Sequence, residues 1–236
     1  MEQILTFRLI CPFWASFRNP GTVNVHVTYP FPPPTTLYGM LNAARGRPQD
    51  WNADRDDWQI AIVVESEGIL VETFSKVKKA ARGEEEGLFG RTTIIRQKLI
   101  GVSYTIYLKA CWDLLIEAQN AVMDPCWPLY LGESDDAVDV VAPHIVNAEP
   151  EPVQNIHSII PGVVEGCRLL KVPVRFHEKG RRWSVDYAIY SLPPMDEGVH
   201  LEKPLPAYSV EGRNVVFNGR ENHTGKAKPD VIWSSH

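Results

Sequence analysis

Hydrophobic and polar positions alternate over residues 4–10. Leu5, Phe7 and Leu9 share one face and Thr6 and Arg8 the other, which predicts a half-buried strand. Residues 11–22, with Pro12, Pro20 and Gly21, read as loop. Val23, Val25 and Val27 then alternate with Asn24, His26 and Thr28 as a second strand. Prolines in Tyr29-Pro-Phe-Pro-Pro-Pro34 fix φ and forbid helix there, giving a stiff approach to the next element. Leu37, Met40, Leu41 and Ala44 recur at helical spacing, with Thr35 or Thr36 as the expected cap and Gly46 as the stop.

Residues 58–65 predict a buried strand, Glu67-Gly68 a turn, and Ile69 to Ser75 a returning strand. Thr92 to Leu108 is rich in β-branched and aromatic residues and predicts one long strand, so that residues 76–100 form a projecting hairpin with a flexible tip. A second helix is predicted over 112–122, with Leu115, Ala118 and Val122 on one side and Asp124-Pro125 at its end. Ala137 to Val141 reads as a further short strand. Strand, helix, strand, strand, helix, strand is the split βαβ order, so the predicted class is α+β, a ferredoxin-like (RRM-like) domain over 1–145. Residues 142–166 bear Pro143, Pro150, Pro152 and Pro161 with little periodicity and read as a linker or long loop. Residues 168–192 are β again, so 146–236 is expected to be a linker plus a smaller C-terminal β-rich segment. Asn218-Gly219 signals a turn, and the end is polar apart from Val231, Ile232 and Trp233, which dock a neighbour or belong to a mobile tail.

Composition narrows the class. In 236 residues, 44% are hydrophobic, enough for a core. Cys11, Cys111, Cys126 and Cys167 are scattered without a C-x-x-C, which points away from a zinc or redox site and toward a reduced, cytoplasmic protein. The N-terminus carries no basic-then-apolar leader, and the longest strongly apolar run, Ile60 to Val64, is too short to span a bilayer. Net charge is −5, yet residues 76–98 carry seven basic residues against three acids, net +4, on a remainder of −9.

That arm defines the first candidate site: Lys76, Lys78, Lys79, Arg82, Arg91, Arg96 and Lys98 neutralise phosphate, or they coat an ordinary surface hairpin. Glu84, Glu85 and Glu86 at its tip would repel phosphate and leave contact to the two basic shoulders. In the first loop Arg18, Asn19 and Gly21 offer a guanidinium, an amide and close backbone approach to splayed nucleotides, or form a plain turn. Thr35, Thr36, Tyr38 and Gly39 lie at a helix N-terminus, where unpaired N–H groups favour an anion. Tyr29, Phe31 or Tyr38 would stack on a base or pack in the core, with one ring expected in the core.

The stretch Tyr29-Pro-Phe-Pro-Pro-Pro-Thr-Thr-Leu-Tyr-Gly-Met-Leu-Asn-Ala-Ala-Arg-Gly46 resembles a signature of the Cas-five family, RAMP-type subunits of type I CRISPR complexes. Leu129-Tyr-Leu-Gly-Glu-Ser134 is similar to the family's second landmark, and the 76–98 arm stands where the family has its thumb. The resemblance covers roughly 1–140 well and the last third loosely. It implies a subunit of the Cascade ribonucleoprotein of antiviral defence that holds the 5′ handle of the crRNA. It also implies contact with the backbone and large subunits, and with target DNA only within the complex. Glu133 stands where many relatives have a basic or neutral residue, which favours a partner-subunit contact there as much as a phosphate contact.

One branch of the family cleaves precursor RNA without metal, using Tyr, Lys and His with Lys and His adjacent. None of this chain's seven histidines neighbours a lysine, so the expectation is no enzyme, although His26 or His177 could act as base if placed within reach of a 2′-hydroxyl. Acids Asp54, Asp56, Asp57 and Asp135, Asp136, Asp139 show no recurring ligand spacing, so no metal or other cofactor is expected. The alternatives are a metal-independent endoribonuclease and an RNA-independent scaffold.

Overall fold

The alternation read at residues 4–10 becomes strand β1 (Glu2–Ile10), which lies between two partners at the centre of the molecule. The computed structural model describes residues 1–22, 25–48, 51–79, 90–179 and 182–218, with 77–79, 90–92, 178–179 and 182–183 described as backbone only. After β1 come β2 (Trp14–Ala15), β3 (Val25–His26), α1 (Pro34–Ala44), a 3-10 turn at Arg55–Asp57, β4 (Gln59–Ser66), β5 (Ile69–Lys79), β6 (Gly90–Ile100), β7 (Ser103–Lys109) and α2 (Trp112–Met123). The rest is β8 (Asp139–Ala148), β9 (Pro150–Ile156), β10 (Ile160–Pro161), β11 (Arg168–Lys179), β12 (Arg182–Leu192), β13 (Val199–Val210) and β14 (Arg213–Val215).

The central sheet has the order β4-β7-β1-β8, with every neighbouring pair antiparallel. Strand alternation sends Leu5, Phe7, Leu9, Ile60, Ile62, Tyr104, Ile106 and Leu108 to the face under both helices, where Leu37, Leu41, Leu115 and Ala118 meet them. Each fully buried large aliphatic side chain there contributes about 1.5–3 kcal/mol. Ile4, Ala61, Val63 and Tyr107 point to the opposite face and are covered by Tyr208, Val210, Val215 and Phe217. Covering both faces explains why residues 58–65 read as a continuous apolar run.

Three expectations are corrected. First, Thr92–Leu108 is two strands in different sheets. Gly101, with φ +74°, turns the chain between β6 and β7. Second, neither Thr35 nor Thr36 caps α1. Pro33 is the N-cap with extended backbone and Pro34 opens the helix, where its missing N–H costs nothing. Third, most of residues 142–166 is strand. β8 pairs with β1, and Ala142 (φ 51°) and Pro143 form a bulge where the register shifts opposite Thr6 and Arg8. Pro150 and Pro152 are tolerated because β9 is an edge strand beside β13. Residues from this half also enter the main core: Ile159, Val172, Val174, Tyr190 and Leu192 pack with the helices. No helix among the described residues is long and apolar enough to cross a membrane.

Candidate nucleic-acid interface

β5 and β6 pair from Ile69–Ile100 out to Lys79–Gly90. The other edge of β6 is held by β2 (Trp14 opposite Ile100) and, in parallel, by β3 (His26 beside Arg96). Gln97 joins the strands: its carbonyl accepts from the Ser16 hydroxyl at 3.1 Å, its side-chain oxygen accepts from the Thr28 N–H at 3.4 Å, and its amide donates to Glu72 at 3.2 Å. The loop after β1 is fastened to the same base. Arg18 bridges to Thr28, and the Asn19 N–H donates to the Val27 carbonyl at 2.8 Å. Asn19 Oδ1 accepts from the Gly21 N–H at 2.9 Å, a side-chain turn that fixes this corner. Arg18 is exposed and donates to the Thr22 carbonyl at 3.3 Å.

The basic residues of the arm divide. Lys98 is 5% exposed and donates to Asp136 Oδ1 at 2.8 Å, with Glu133 Oε2 at 3.3 Å. Burial alone would lower its pKa, but the two carboxylates hold the ammonium above its ordinary value. Its Nζ also lies 5.2 Å from the centre of the Trp14 ring. Arg96 Nη1 donates to Glu133 Oε2 at 3.1 Å. Lys98 is therefore turned inward, with its charge balanced inside the chain. Lys76 is exposed, with no carboxylate partner among the described residues. Lys78, Lys79 and Arg91 lie on the described backbone of β5 and β6, whereas Arg82 and the acidic tip fall outside the described residues, as do Val231 to Trp233.

The Leu131-Gly-Glu-Ser134 segment is a tight loop closed by Asp136, whose Oδ2 accepts from the Glu133 N–H at 3.1 Å. Gly132 has φ +117°, and a Cβ there would fall 2.3 Å from the Ser16 carbonyl oxygen. Only glycine lets this loop lie against the chain leaving β2. Oxygens of Glu133, Asp135 and Asp136 come within 4.8 Å of one another. Lys98 and Arg96 already neutralise the negative charge that Glu133 and Asp136 would offer a cation.

The α1 candidates sit elsewhere, on a helix packed against α2 and β11. Tyr38 is 7% exposed and donates to Asp54 at 2.7 Å, Tyr29 donates to the Lys171 carbonyl at 2.8 Å, and Phe31 is buried. All three rings are thus core residues, more than the one expected. Thr35 and Thr36 are half-buried, and Gly39 is exposed with nothing within 4 Å of a Cβ built on it. Much of the remaining basic charge is taken up internally. Arg45 pairs with Asp54 and Glu117, Arg47 with Glu117, Arg175 with Asp56, Lys109 with Glu2 and Arg213 with Glu65.

Two features escaped sequence reasoning. His26, weighed only as a general base, is buried beside Arg96, and its Nδ1 has no hydrogen-bond partner among the described residues. Burial, then the charges of Arg18 and Arg96, hold its pKa below the ordinary value. Its pairing with an arginine 70 positions away leaves no local signal. Second, Val25, Ile95 and Phe74 form one row across β3, β6 and β5, with Phe74 75% exposed. Bare apolar alternation in an edge strand was the available cue. His177 instead contacts Asp186.

A two-helix sheet protein with an extended hairpin and a second, β-rich half is the class these features define. The family model described as "CRISPR-associated protein (Cas_Cas5)" matches residues 4–200. The chain belongs to this family. No curated protein matches it. Among solved structures it is similar to a chain titled "CRISPR RNA-guided surveillance complex", at 17% identity and TM-score 0.56, over 86% of this chain and 91% of that one. It is also similar to a "Cas protein" crystal structure, at 19% identity and TM-score 0.50, over 84% and 98%. A CRISPR protein from Archaeoglobus fulgidus matches at 14% identity and TM-score 0.50, over 92% and 99%.

Proposed function

We propose that this chain is the non-catalytic crRNA-binding subunit of a type I CRISPR effector (Cascade) complex. In this reading it holds the 5′ handle of the guide RNA and contacts the backbone and large subunits in the cytoplasm. Its central sheet acts as a ferredoxin-like RAMP domain and β5–β6 as its thumb. The observation that carries the reading is the attachment of the exposed Arg18 loop to the base of the basic hairpin through β3, Thr28 and Gln97. The exposed guanidinium of Arg18 and the turn at Asn19-Gly21 thereby flank the base of the hairpin, and Lys76 lies further out on β5, each offered to a phosphate backbone. The Val25–Ile95–Phe74 row across β3, β6 and β5, exposed at Val25 and Phe74, supports a protein neighbour there. Family membership supports the CRISPR setting, and the fold likeness to a chain from a surveillance complex agrees with it.

UV crosslinking of the assembled, guide-loaded complex, followed by mass spectrometry, tests the reading. Handle nucleotides on peptides from 16–39 or 76–98 are expected. No crosslink on this chain while its neighbours crosslink would leave the hairpin as a protein contact only.

A further inference from the structure

We infer that Glu133 and an RNA phosphodiester compete for one anion site formed by Arg96, His26 and Arg18, so that the Glu133 carboxylate occupies the site until RNA displaces it. The inference rests on the RNA-binding reading and adds a gate to it.

Five observations carry the proposal. Arg96 and His26 are paired neighbours on β6 and β3, and each keeps a buried nitrogen without a partner among the described residues, Nε of Arg96 and Nδ1 of His26. His26 is 6% exposed, so this unmet polar atom belongs to a group withdrawn from bulk solvent. A carboxylate bound to Arg96 through a single oxygen leaves the guanidinium incompletely matched, whereas a phosphodiester presents two acceptor oxygens to the same fork.

Lys98 does not depend on Glu133, because Asp136 is its closer partner, 2.8 Å against 3.3 Å. The Glu133 side chain can therefore leave without stranding a buried ammonium. The loop can also stay in place when it leaves. The Glu133 N–H is held by Asp136, and Gly132 is seated against Ser16. Finally, Arg96 and Lys98 face Glu133 and Asp136, with Asp135 beside them, and moving Glu133 out takes one negative charge off the cluster. His26, neutral and flanked by Arg18 and Arg96, offers an N–H to the incoming oxygen once its tautomer places the proton on Nδ1.

The test uses the full chain and single-stranded handle RNA labelled for fluorescence anisotropy, titrated from low to high salt. Glu133→Gln keeps the size and removes the charge. It is expected to tighten binding by about tenfold at moderate salt and to steepen the slope of log K against log salt by about 0.7, one additional phosphate contact. Glu133→Ala, run in parallel with circular dichroism, is expected to do the same. Arg96→Gln in the Glu133→Gln background is expected to remove the gain. Wild-type binding with no gain in either variant would overturn the gate while leaving the RNA-binding reading intact. Absence of RNA binding by folded wild type and variants would overturn both. A gain seen toward a poly-glutamate peptide and not toward RNA would assign the site to an acidic protein partner and overturn the proposal.

Discussion

Lys98 Nζ lies 2.8 Å from Asp136 Oδ1, and the two side chains are 7% and 0% exposed. A lysine in a basic arm thus serves the fold. Removing one partner strands the other in a medium that cannot solvate it. Asp136→Asn or Lys98→Met is expected to cost about 3–5 kcal/mol, while the double variant Lys98→Met with Asp136→Leu recovers much of the loss. Urea denaturation of the single and double variants measures this. Equal losses for all three would mean that the pair is not the stabilising unit.

Gly39 lies within α1, exposed, with open space where a Cβ would stand. Nothing inside the chain requires glycine there, and glycine in a helix is about 0.5–1 kcal/mol worse than alanine. Gly39→Ala is expected to raise the midpoint of thermal unfolding by about 1–4 °C. An unchanged or lower midpoint would show that the helix backbone there is not relaxed.

Gly132 is the opposite case. Its φ of +117° and the 2.3 Å approach of a Cβ to the Ser16 carbonyl leave no room to adjust. Gly132→Ala is expected to destabilise by about 1–3 kcal/mol and to loosen the loop that presents Glu133. Gly101→Ala has open space around its Cβ and is expected to cost less, about 1 kcal/mol from backbone strain alone. Denaturant midpoints of the two variants, compared side by side, decide between steric and conformational causes.

Local pattern made part of this molecule legible. β1 follows from the alternation of Leu5, Phe7 and Leu9, and α1 follows from Leu37, Met40, Leu41 and Ala44, because both patterns track the face turned to the main core. Of β8 only the start showed itself, in the Ala137–Val141 reading, since the rest is sheltered mainly by pairing with β1 and its residues are half exposed. The break at Gly101 is likewise a matter of which sheet each side joins, decided by residues far away. At the site, the exposed Arg18 loop was readable from composition. The fate of Arg96 and Lys98 was not, because local charge density does not reveal that Glu133 and Asp136, 37 and 38 positions on, fold back onto them.

The histidines give a pH dependence of two signs. Burial, then nearby arginines, set His26 and His157 below the ordinary value of 6.5. The folded state therefore resists their protonation, and stability is expected to fall as pH drops below that value. His144 is raised, first by the Ala142 carbonyl on Nδ1 and then by Glu211 on Nε2, each at 2.8 Å. Its contribution is present below 6.5 and is lost as pH rises through its folded-state value. Thermal midpoints between pH 5 and 8 should fall less steeply on the acid side in His157→Gln and lose their alkaline decline in His144→Gln. Profiles identical to wild type would remove both assignments.

Arg18 offers the cleanest test of the surface itself. Its guanidinium is exposed and donates to the Thr22 carbonyl, so its removal leaves no buried charge unpaired among the described residues. Arg18→Ala is expected to leave the unfolding midpoint unchanged. Affinity for handle RNA should weaken by about tenfold, the loss of one charge-assisted contact. The salt slope, expected at about −2 to −4 for three to six phosphate contacts on a single strand, should become shallower by about 0.7. Affinity and slope come from the same anisotropy titration, and only a phosphate contact moves both. A weaker affinity at unchanged slope would mean that Arg18 shapes the loop without touching the backbone, and no change in either would remove it from the interface.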